Sequence, residues 1–169
     1  MEDKEECMIY DADNIQSETQ LTEMLQNTRN YSKYPVFLGV DEEGGEVSRL
    51  KTLDETGFPV FEGARVLSNK GMDAVLSDTE VKMQYLKELG INMNFAPVAD
   101  VVENPNSYMY LRSASGDAKV AAEYVKTVLS VMQENQVVGC VKHFPGYGDN
   151  VNTHAGIASD NKTLLSFSL

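Results

Sequence analysis

The chain of 169 residues contains no tryptophan, only two cysteines and two histidines, and few cations for its acidic content. Lys and Arg total 14 against 26 Asp and Glu, which gives a formal net charge of −12 at pH 7. This balance argues against a nucleic-acid binder, which presents a basic face, and against attachment to an anionic membrane surface. No segment approaches the roughly 18 apolar residues of a membrane span. No apolar stretch follows the charged start at Met1 either, so no signal peptide is visible.

Cysteine usage and composition bound the class of protein. Cys7 and Cys140 lie far apart and lack CxxC spacing, which argues against a disulfide framework. We therefore expect two free thiols, both of them buried. Hydrophobic residues make up 42% of the chain, enough for a packed core. The length fits one domain or part of a larger one.

Four apolar segments of strand length alternate with helical patterns. The segments are residues 7–10, 36–40, 91–98 and 137–144. Continuous apolar runs of this kind are typical of strands buried on both faces of a parallel sheet.

Capping signals predict three helices between these segments. Capping-box patterns at 17–20 and 77–80 predict the starts of the first and second helices, and Gly90 predicts the end of the second. Asp117 is the predicted cap of the third helix. The resulting order predicts an α/β fold with parallel strands and right-handed crossovers. Both an open doubly wound sheet and part of a barrel fit this order. A complete eight-stranded barrel does not, because it needs about 250 residues.

Charged residues lie at or just beyond the ends of three of the apolar segments. The sequence DEEGG at 41–45 follows the second segment, Asp100 follows the third, and Lys142 and His143 lie near the end of the fourth. Ligands of parallel α/β folds bind beyond the carboxyl ends of the strands. A helix cap or a solvated loop would explain any one of these positions. Three of them beside glycines favour a common site on one rim.

The two histidines, His143 and His154, lie within one short stretch of the chain. One interpretation makes them a core residue and a loop residue, and another combines them with Asp149 in a metal site. Their spacing matches no established metal template. The glycines at 44–45 lack the context of a nucleotide-binding loop. We therefore expect neither a metal nor an organic cofactor.

Four motifs resemble glycoside hydrolase family 3, most closely its β-N-acetylglucosaminidase, or β-N-acetylhexosaminidase, branch. They are VDEEGGEVSRL (40–50), GINMNFAPVADV (90–101), LRSASGD (111–117) and KHFPGYGDNVNTH (142–154). They occur in the order and at the spacing of the family. The resemblance implies a partial TIM-type (β/α)8 barrel with roughly strands two to five. Residues 1–169 would then form a single incomplete N-terminal catalytic domain.

The resemblance also implies roles for individual residues around a bound sugar. Asp41 resembles the carboxylate that binds sugar hydroxyls. Arg49, Arg112, Lys142 and His143 resemble the cationic and imidazole donors around the same sugar. An uncharged polyol requires such a set of fixed donors and acceptors.

The implied catalytic residues are His154 and Asn152. His154 resembles the general acid/base of this branch, a role that many glycosidases give to a carboxylic acid. Asn152 stands where the family usually has an aspartate paired with that histidine. An asparagine orients an imidazole but cannot stabilise the imidazolium by charge. The family nucleophile, an aspartate on a later strand, has no counterpart in the 169 residues, so we expect them not to hydrolyse substrate alone.

The function implied by the resemblance is retaining hydrolysis of terminal N-acetylglucosamine in peptidoglycan-type glycans, without a cofactor. A β-glucosidase or β-xylosidase of the same family is one alternative. The short spacing to His154 disfavours it, because those enzymes usually take their acid/base from another domain. A non-catalytic sugar-binding remnant is the other alternative, favoured by Asn152 and the missing nucleophile. The sequence leaves the oligomeric state open. It also leaves the compartment open between the bacterial cytoplasm and the exterior of the cell envelope.

Overall fold

The computed structural model describes residues 7–56, 58–148 and 152–157, and these are built on a four-stranded parallel sheet. Its strands are β1 (Cys7–Tyr10), β2 (Phe37–Val40), β5 (Met93–Asn94) and β6 (Val138–Gly139), and each pairs in parallel with the next. The spatial order therefore follows the chain order. A doubly wound sheet reverses its order at a switch point, whereas successive barrel strands are neighbours. The fold is part of an α/β barrel, as the family resemblance implied.

Four α-helices connect the strands. They are α1 (Glu18–Tyr31) between β1 and β2, α2 (Ala64–Lys70) and α3 (Met72–Leu89) between β2 and β5, and α4 (Ala118–Glu134) between β5 and β6. Short 3-10 helices span Ala12–Asn14 and Leu50–Thr56, and the antiparallel hairpin of β3 (Glu42–Gly44) and β4 (Val47–Ser48) follows β2.

The core lies between the sheet and these helices. Leu38 and Val40 of β2 are fully buried and belong to one apolar cluster with Leu25 of α1, Leu86 of α3 and Val128 of α4. Burial of each such side chain contributes about 1.5–3 kcal/mol. This packing fixes the strand ends from which the functional side chains extend.

Three of the predicted helix boundaries are confirmed. The Ser17 hydroxyl accepts the backbone N–H of Gln20 at 3.1 Å at the start of α1. The Asp117 carboxylate accepts the N–H groups of residues 119 and 120 at 2.7 and 3.2 Å at the start of α4. Gly90 ends α3 with a φ of 94°, in the left-handed region that glycine favours.

The predicted start of the second helix at Ser77 is wrong. The helix begins at Met72, and its cap position is Gly71, six residues before Ser77. Gly71 has a φ of 102° and separates α2 from α3. Ser77 instead lies on an exposed position inside α3. A Ser-x-x-Glu pattern on the polar face of a helix cannot be told from a cap by sequence spacing alone.

The predicted burial of both cysteines is also wrong. Both thiols are free, but Cys7 is exposed and Cys140 is half-buried. Cys7 lies on β1 and Cys140 directly follows β6, and these strands form the two edges of the four-stranded sheet. An edge position leaves one side of a strand without a neighbour, and no local sequence signal reveals it.

The two later apolar segments contribute less regular strand than their length predicted. β5 and β6 have two residues each. Beyond β5 and β6 the two segments of the chain continue side by side. The N–H of Cys140 donates to the carbonyls of Asn94 and Ala96, and Val98 forms an isolated parallel β-bridge with Lys142. This irregular pairing brings the segment before Asp100 next to the segment that carries Lys142.

Position 44 requires glycine because of both its backbone conformation and its close neighbours. Its φ is 89°, and a Cβ there would lie 2.3 Å from the carbonyl oxygen of Glu62. Gly71 provides a matched comparison because its φ is also positive, at 102°, but a Cβ there would meet nothing within 4 Å.

We therefore expect Gly44→Ala to destabilise the fold more than Gly71→Ala. The backbone conformation costs about 1–3 kcal/mol for a residue other than glycine in both variants. The clash with the Glu62 carbonyl adds about 1–3 kcal/mol in Gly44→Ala alone. Urea unfolding followed by circular dichroism measures the difference. Equal losses in the two variants would show that the hairpin shifts to admit the methyl group.

Candidate active site

One pocket of about 290 Å³ opens at the carboxyl ends of the strands. Six of the seven site residues expected from the sequence line it, and the seventh, Asn152, lies two residues from His154. The structure thus brings together side chains from the ends of β2 and β6, the loop after β5 and the segment at 152–157. The lining residues are Ile9, Asp41, Val47, Arg49, Phe95, Tyr108, Arg112, Lys142, His143, Tyr147, Thr153 and His154.

Lys142 joins two carboxylates in this pocket. Its Nζ lies 2.6 Å from Asp41 Oδ1 and 2.5 Å from Glu43 Oε1. Asp41 also faces Arg49, whose Nη2 lies 3.8 Å from its Oδ2, and Arg49 Nε lies 3.3 Å from Asp11 Oδ2. The Asp41 side chain is 27% exposed, so its carboxylate is held between two cations while remaining open to the pocket.

Arg112 and Glu43 form a bidentate buried pair. Arg112 Nε donates to Glu43 Oε2 at 2.9 Å, and Nη2 donates to Oε1 at 2.8 Å. Burial acts to lower the pKa of Arg112, but the hydrogen bond and charge of Glu43 outweigh it and the pKa is raised. The guanidinium also lies over the ring of Tyr108, 5.1 Å from its centroid. Arg112 is therefore a fixed, permanent cation.

His143 lies between Asp100 and Arg112. Its Nδ1 lies 2.7 Å from Asp100 Oδ2, and its Nε2 lies 3.3 Å from Arg112 Nη2. A guanidinium can only donate, so Nε2 accepts and Nδ1 carries the proton that Asp100 receives in the hydrogen bond. The hydrogen-bond network thus assigns the neutral Nδ1–H tautomer to His143.

Asp100 is the acceptor that orients this side of the pocket. It accepts the ring and backbone N–H groups of His143 and, at 2.5 Å, the backbone N–H of Tyr147. Burial acts to raise the pKa of Asp100, but the hydrogen bonds from these two residues outweigh it and lower the pKa. Asp100 is therefore a carboxylate at neutral pH.

Glu42 supports the hairpin from outside the pocket. It is fully buried, its Oε2 accepts the Ser48 hydroxyl at 2.8 Å and the Leu50 N–H at 3.2 Å, and its Oε1 lacks a hydrogen-bond partner in the described part of the chain. Its backbone exchanges two hydrogen bonds of 2.9 Å with the Asn94 amide. Burial raises the pKa of Glu42 despite the nearby charge of Lys82.

Asn152 contacts the backbone of His154. The His154 N–H donates to Asn152 Oδ1 at 3.0 Å, and the Ala155 N–H donates to the Asn152 carbonyl at 2.9 Å. Asn152 thus holds the turn that presents His154, which is exposed at the pocket. Asp149, the other residue considered for a metal site, lies outside the described residues. In the ranges that the structure describes, no group of three or more His, Cys, Asp or Glu could hold a metal ion.

Glu43, Asp100 and Tyr147 also hold the site together, and the resemblance gives none of them a role. Glu43 and Asp100 lie within three residues of the ends of apolar segments, and that position is the sequence signal that could identify them. Tyr147 carried no such signal, because its contacts depend on how the segment at 142–154 folds back.

The sequence matches the family model for the glycosyl hydrolase family 3 N terminal domain over residues 6–167. The chain belongs to glycosyl hydrolase family 3. Beta-hexosaminidase A of Pseudoalteromonas piscicida is 34% identical over 155 residues, covering 86% of this chain and 26% of that protein. A beta-hexosaminidase of Bordetella avium is 27% identical over 93% of this chain and 46% of its own length. The family 3 chain thus spans about a quarter to a half of these relatives.

Solved structures support the same fold. A family 3 beta-N-acetylglucosaminidase from a Paenibacillus species superposes with a TM-score of 0.77 at 31% identity, covering 88% of this chain and 28% of that one. NagZ from Neisseria gonorrhoeae has a TM-score of 0.80 at 22% identity, over 94% of this chain and 48% of its own, and shows likeness of fold alone. No helix in the described ranges of the family 3 chain is long and apolar enough to span a membrane.

The raised pKa of Glu42 predicts a pH dependence of stability. The folded state binds this proton more tightly than the unfolded state, so the unfolding free energy falls as pH rises above the ordinary value of 4.5. We expect Glu42→Gln to remove this contribution and to exceed the wild-type chain in stability at about pH 8. Glu88→Gln, an exposed change on α3, is the matched control. Chemical unfolding at a series of pH values measures the effect, and a Glu42→Gln variant less stable than wild type at high pH would contradict it.

Proposed function

We propose that the chain provides the sugar-binding part of a retaining β-N-acetylhexosaminidase. The supporting observation is that His154 shares one pocket with Asp41, Arg112, Lys142 and His143. The names of the relatives, beta-hexosaminidase and beta-N-acetylglucosaminidase, support the same activity. The proposed substrate is a peptidoglycan-type glycan ending in N-acetylglucosamine. The proposed domain is a single N-terminal catalytic domain that residues 1–169 form incompletely.

The pocket suits a neutral sugar because its donors are already held in place. Glu43 fixes Arg112 and Lys142, and Asp100 fixes His143. Side chains ordered before binding lose less conformational entropy when the ligand arrives. Asp41 accepts sugar hydroxyls, and the fixed cations and imidazole donate or accept around the same ring.

In the proposed reaction His154 is the general acid/base. It donates a proton to the leaving glycosidic oxygen and then accepts one from water. The retaining mechanism also requires a carboxylate nucleophile. We assign this role to a later strand of the barrel, as the family resemblance implies, because Asp41 and its neighbours in the pocket are committed to cations.

A second candidate function is sugar binding without catalysis. Asn152 favours it, because a neutral amide that bonds the His154 backbone supplies no charge to stabilise an imidazolium. Binding of sugar without any hydrolysis when this chain is combined with the later strands of a relative would select this candidate.

We expect the chain to bind N-acetylglucosamine. The bound sugar should shift the NMR signals of the imidazole rings of the two histidines. Asp41→Asn should weaken binding about 10- to 100-fold, since it removes a charged hydrogen-bond acceptor. Glu62→Gln is the control, because it removes a comparable carboxylate from an exposed ion pair with Lys70. Glucose that binds as tightly as N-acetylglucosamine would contradict the proposed substrate class.

We expect Asn152→Asp to raise hydrolysis in a complete barrel assembled from this chain and the later strands of a relative. The carboxylate still accepts the His154 N–H, and its charge favours the protonated imidazole. The gain should be about 10- to 100-fold, below the roughly 10⁴ of a buried serine-protease dyad, because solvent partly replaces the charge. His154→Ala should lose about 10²- to 10⁴-fold. If only Asp149→Asn changes the pH–rate profile, the pairing of Asn152 with His154 is wrong.

A further inference from the structure

Tyr147 contacts both halves of the pocket. Its backbone N–H donates to Asp100 Oδ1, and its ring centroid lies 5.2 Å from that of His143 in an edge-on arrangement. Its phenol oxygen accepts the backbone N–H of Thr153 at 2.7 Å and lies 2.8 Å from the Thr153 hydroxyl. Thr153 directly precedes His154.

The two ends of the Tyr147 side chain have different environments. The ring packs against a small buried cluster of Val98, Val102 and Met109, which is separate from the main core. The phenol end is in contact with exposed chain, since residues 153–157 are all exposed. Apolar burial therefore contributes little to the position of that segment, and hydrogen bonds determine it.

The phenol makes two complementary hydrogen bonds to one residue. Its oxygen accepts the Thr153 N–H, and a second hydrogen bond joins it to Thr153 Oγ1, in which either hydroxyl can donate. Phenylalanine would keep the ring packing and remove both bonds.

We propose that Tyr147 is a positioning residue for His154. The buried cluster and His143 fix its ring, and its hydroxyl fixes Thr153, so that the next residue faces the cations and carboxylates that bind the sugar. The position of the acid/base is thereby coupled to the Asp100–His143 side of the pocket. This inference rests on the proposed function for its catalytic meaning, but the hydrogen bond itself is testable without it.

The first test is amide exchange of the 169-residue chain, measured by NMR transfer of saturation from water. Tyr147→Phe should accelerate exchange of the Thr153 amide about three- to tenfold, the equilibrium factor of one net hydrogen bond. Tyr31→Phe is the matched control, because Tyr31 is 89% exposed at the end of α1. An unchanged Thr153 exchange rate in Tyr147→Phe would overturn the proposal.

The second test uses N-acetylglucosamine as the probe and the two imidazole signals as reporters. In the wild-type chain both histidines should respond to the sugar. In Tyr147→Phe the response of His143 should persist and that of His154 should fall at least about threefold. An undiminished His154 response would overturn the positioning role. A wild-type chain in which neither histidine responds would overturn the proposed function, while Thr153 exchange would still decide the hydrogen bond.

A third variant covers the case in which Tyr147→Phe fails to fold. Thr153→Val removes one partner of the phenol from the other side and leaves Tyr147 and its packing intact. The Thr153 N–H still donates to the phenol in this variant, so we expect a loss of the His154 response in the same direction but smaller than in Tyr147→Phe. A Thr153→Val chain that keeps the full His154 response would overturn the contribution of the hydroxyl–hydroxyl bond to the positioning of His154.

Discussion

The carboxylate of Glu43 is the interaction on which the rest of the pocket depends. It accepts two hydrogen bonds from Arg112 and contacts Lys142 at 2.5 Å, so it joins the hairpin after β2, the loop after β5 and the end of β6. The Glu43 and Arg112 side chains are 6% and 7% exposed. A buried ion pair adds little net stability because desolvation offsets its attraction, but loss of one partner leaves an uncompensated charge. The pair therefore fixes the positions of the pocket side chains more than it stabilises the fold. Lys82 of α3 supports it by donating a hydrogen bond to the backbone carbonyl of Glu43.

The balance of charge in the pocket differs from that of the chain. The whole sequence carries a formal charge of −12. In the pocket, the cations Arg49, Arg112 and Lys142 face the carboxylates Asp41 and Glu43, with Asp100 behind His143. A site for phosphate or carboxylate would leave cations unneutralised to receive the anion. Here each cation already has an acidic partner, so the site presents polar edges without a large net charge. This arrangement suits an uncharged polyol.

Much of the fold could be predicted because local signals and tertiary burial agree. The caps at Ser17 and Asp117 coincide with helices whose apolar faces are buried, and the strand segments coincide with the sheet. The start of α3 could not be predicted from the sequence, because it depends on the backbone conformation of Gly71. The exposure of Cys7 could not be predicted either, because it depends on which strand lies at the edge of the sheet. Strand ends predicted the location of the pocket. The pairing of Glu43 with Arg112 could not be predicted, since 69 residues separate them and only the folded chain brings them together.

The two histidines occupy opposite environments, and that contrast supports different roles. His143 is held by Asp100 at one nitrogen and Arg112 at the other, so a second proton on its ring would break the contact with a permanent cation. Such a histidine is suited to fixed recognition. The hydrogen bonds at His154 in the described ranges involve its backbone N–H and not its ring. Its imidazole therefore lies outside the hydrogen-bond network of the carboxylates and cations, which suits the general acid/base role proposed for it. The position of His154 is therefore set through the backbone. The neutral side chains of Asn152 and Tyr147 accept hydrogen bonds from the N–H groups of His154 and Thr153.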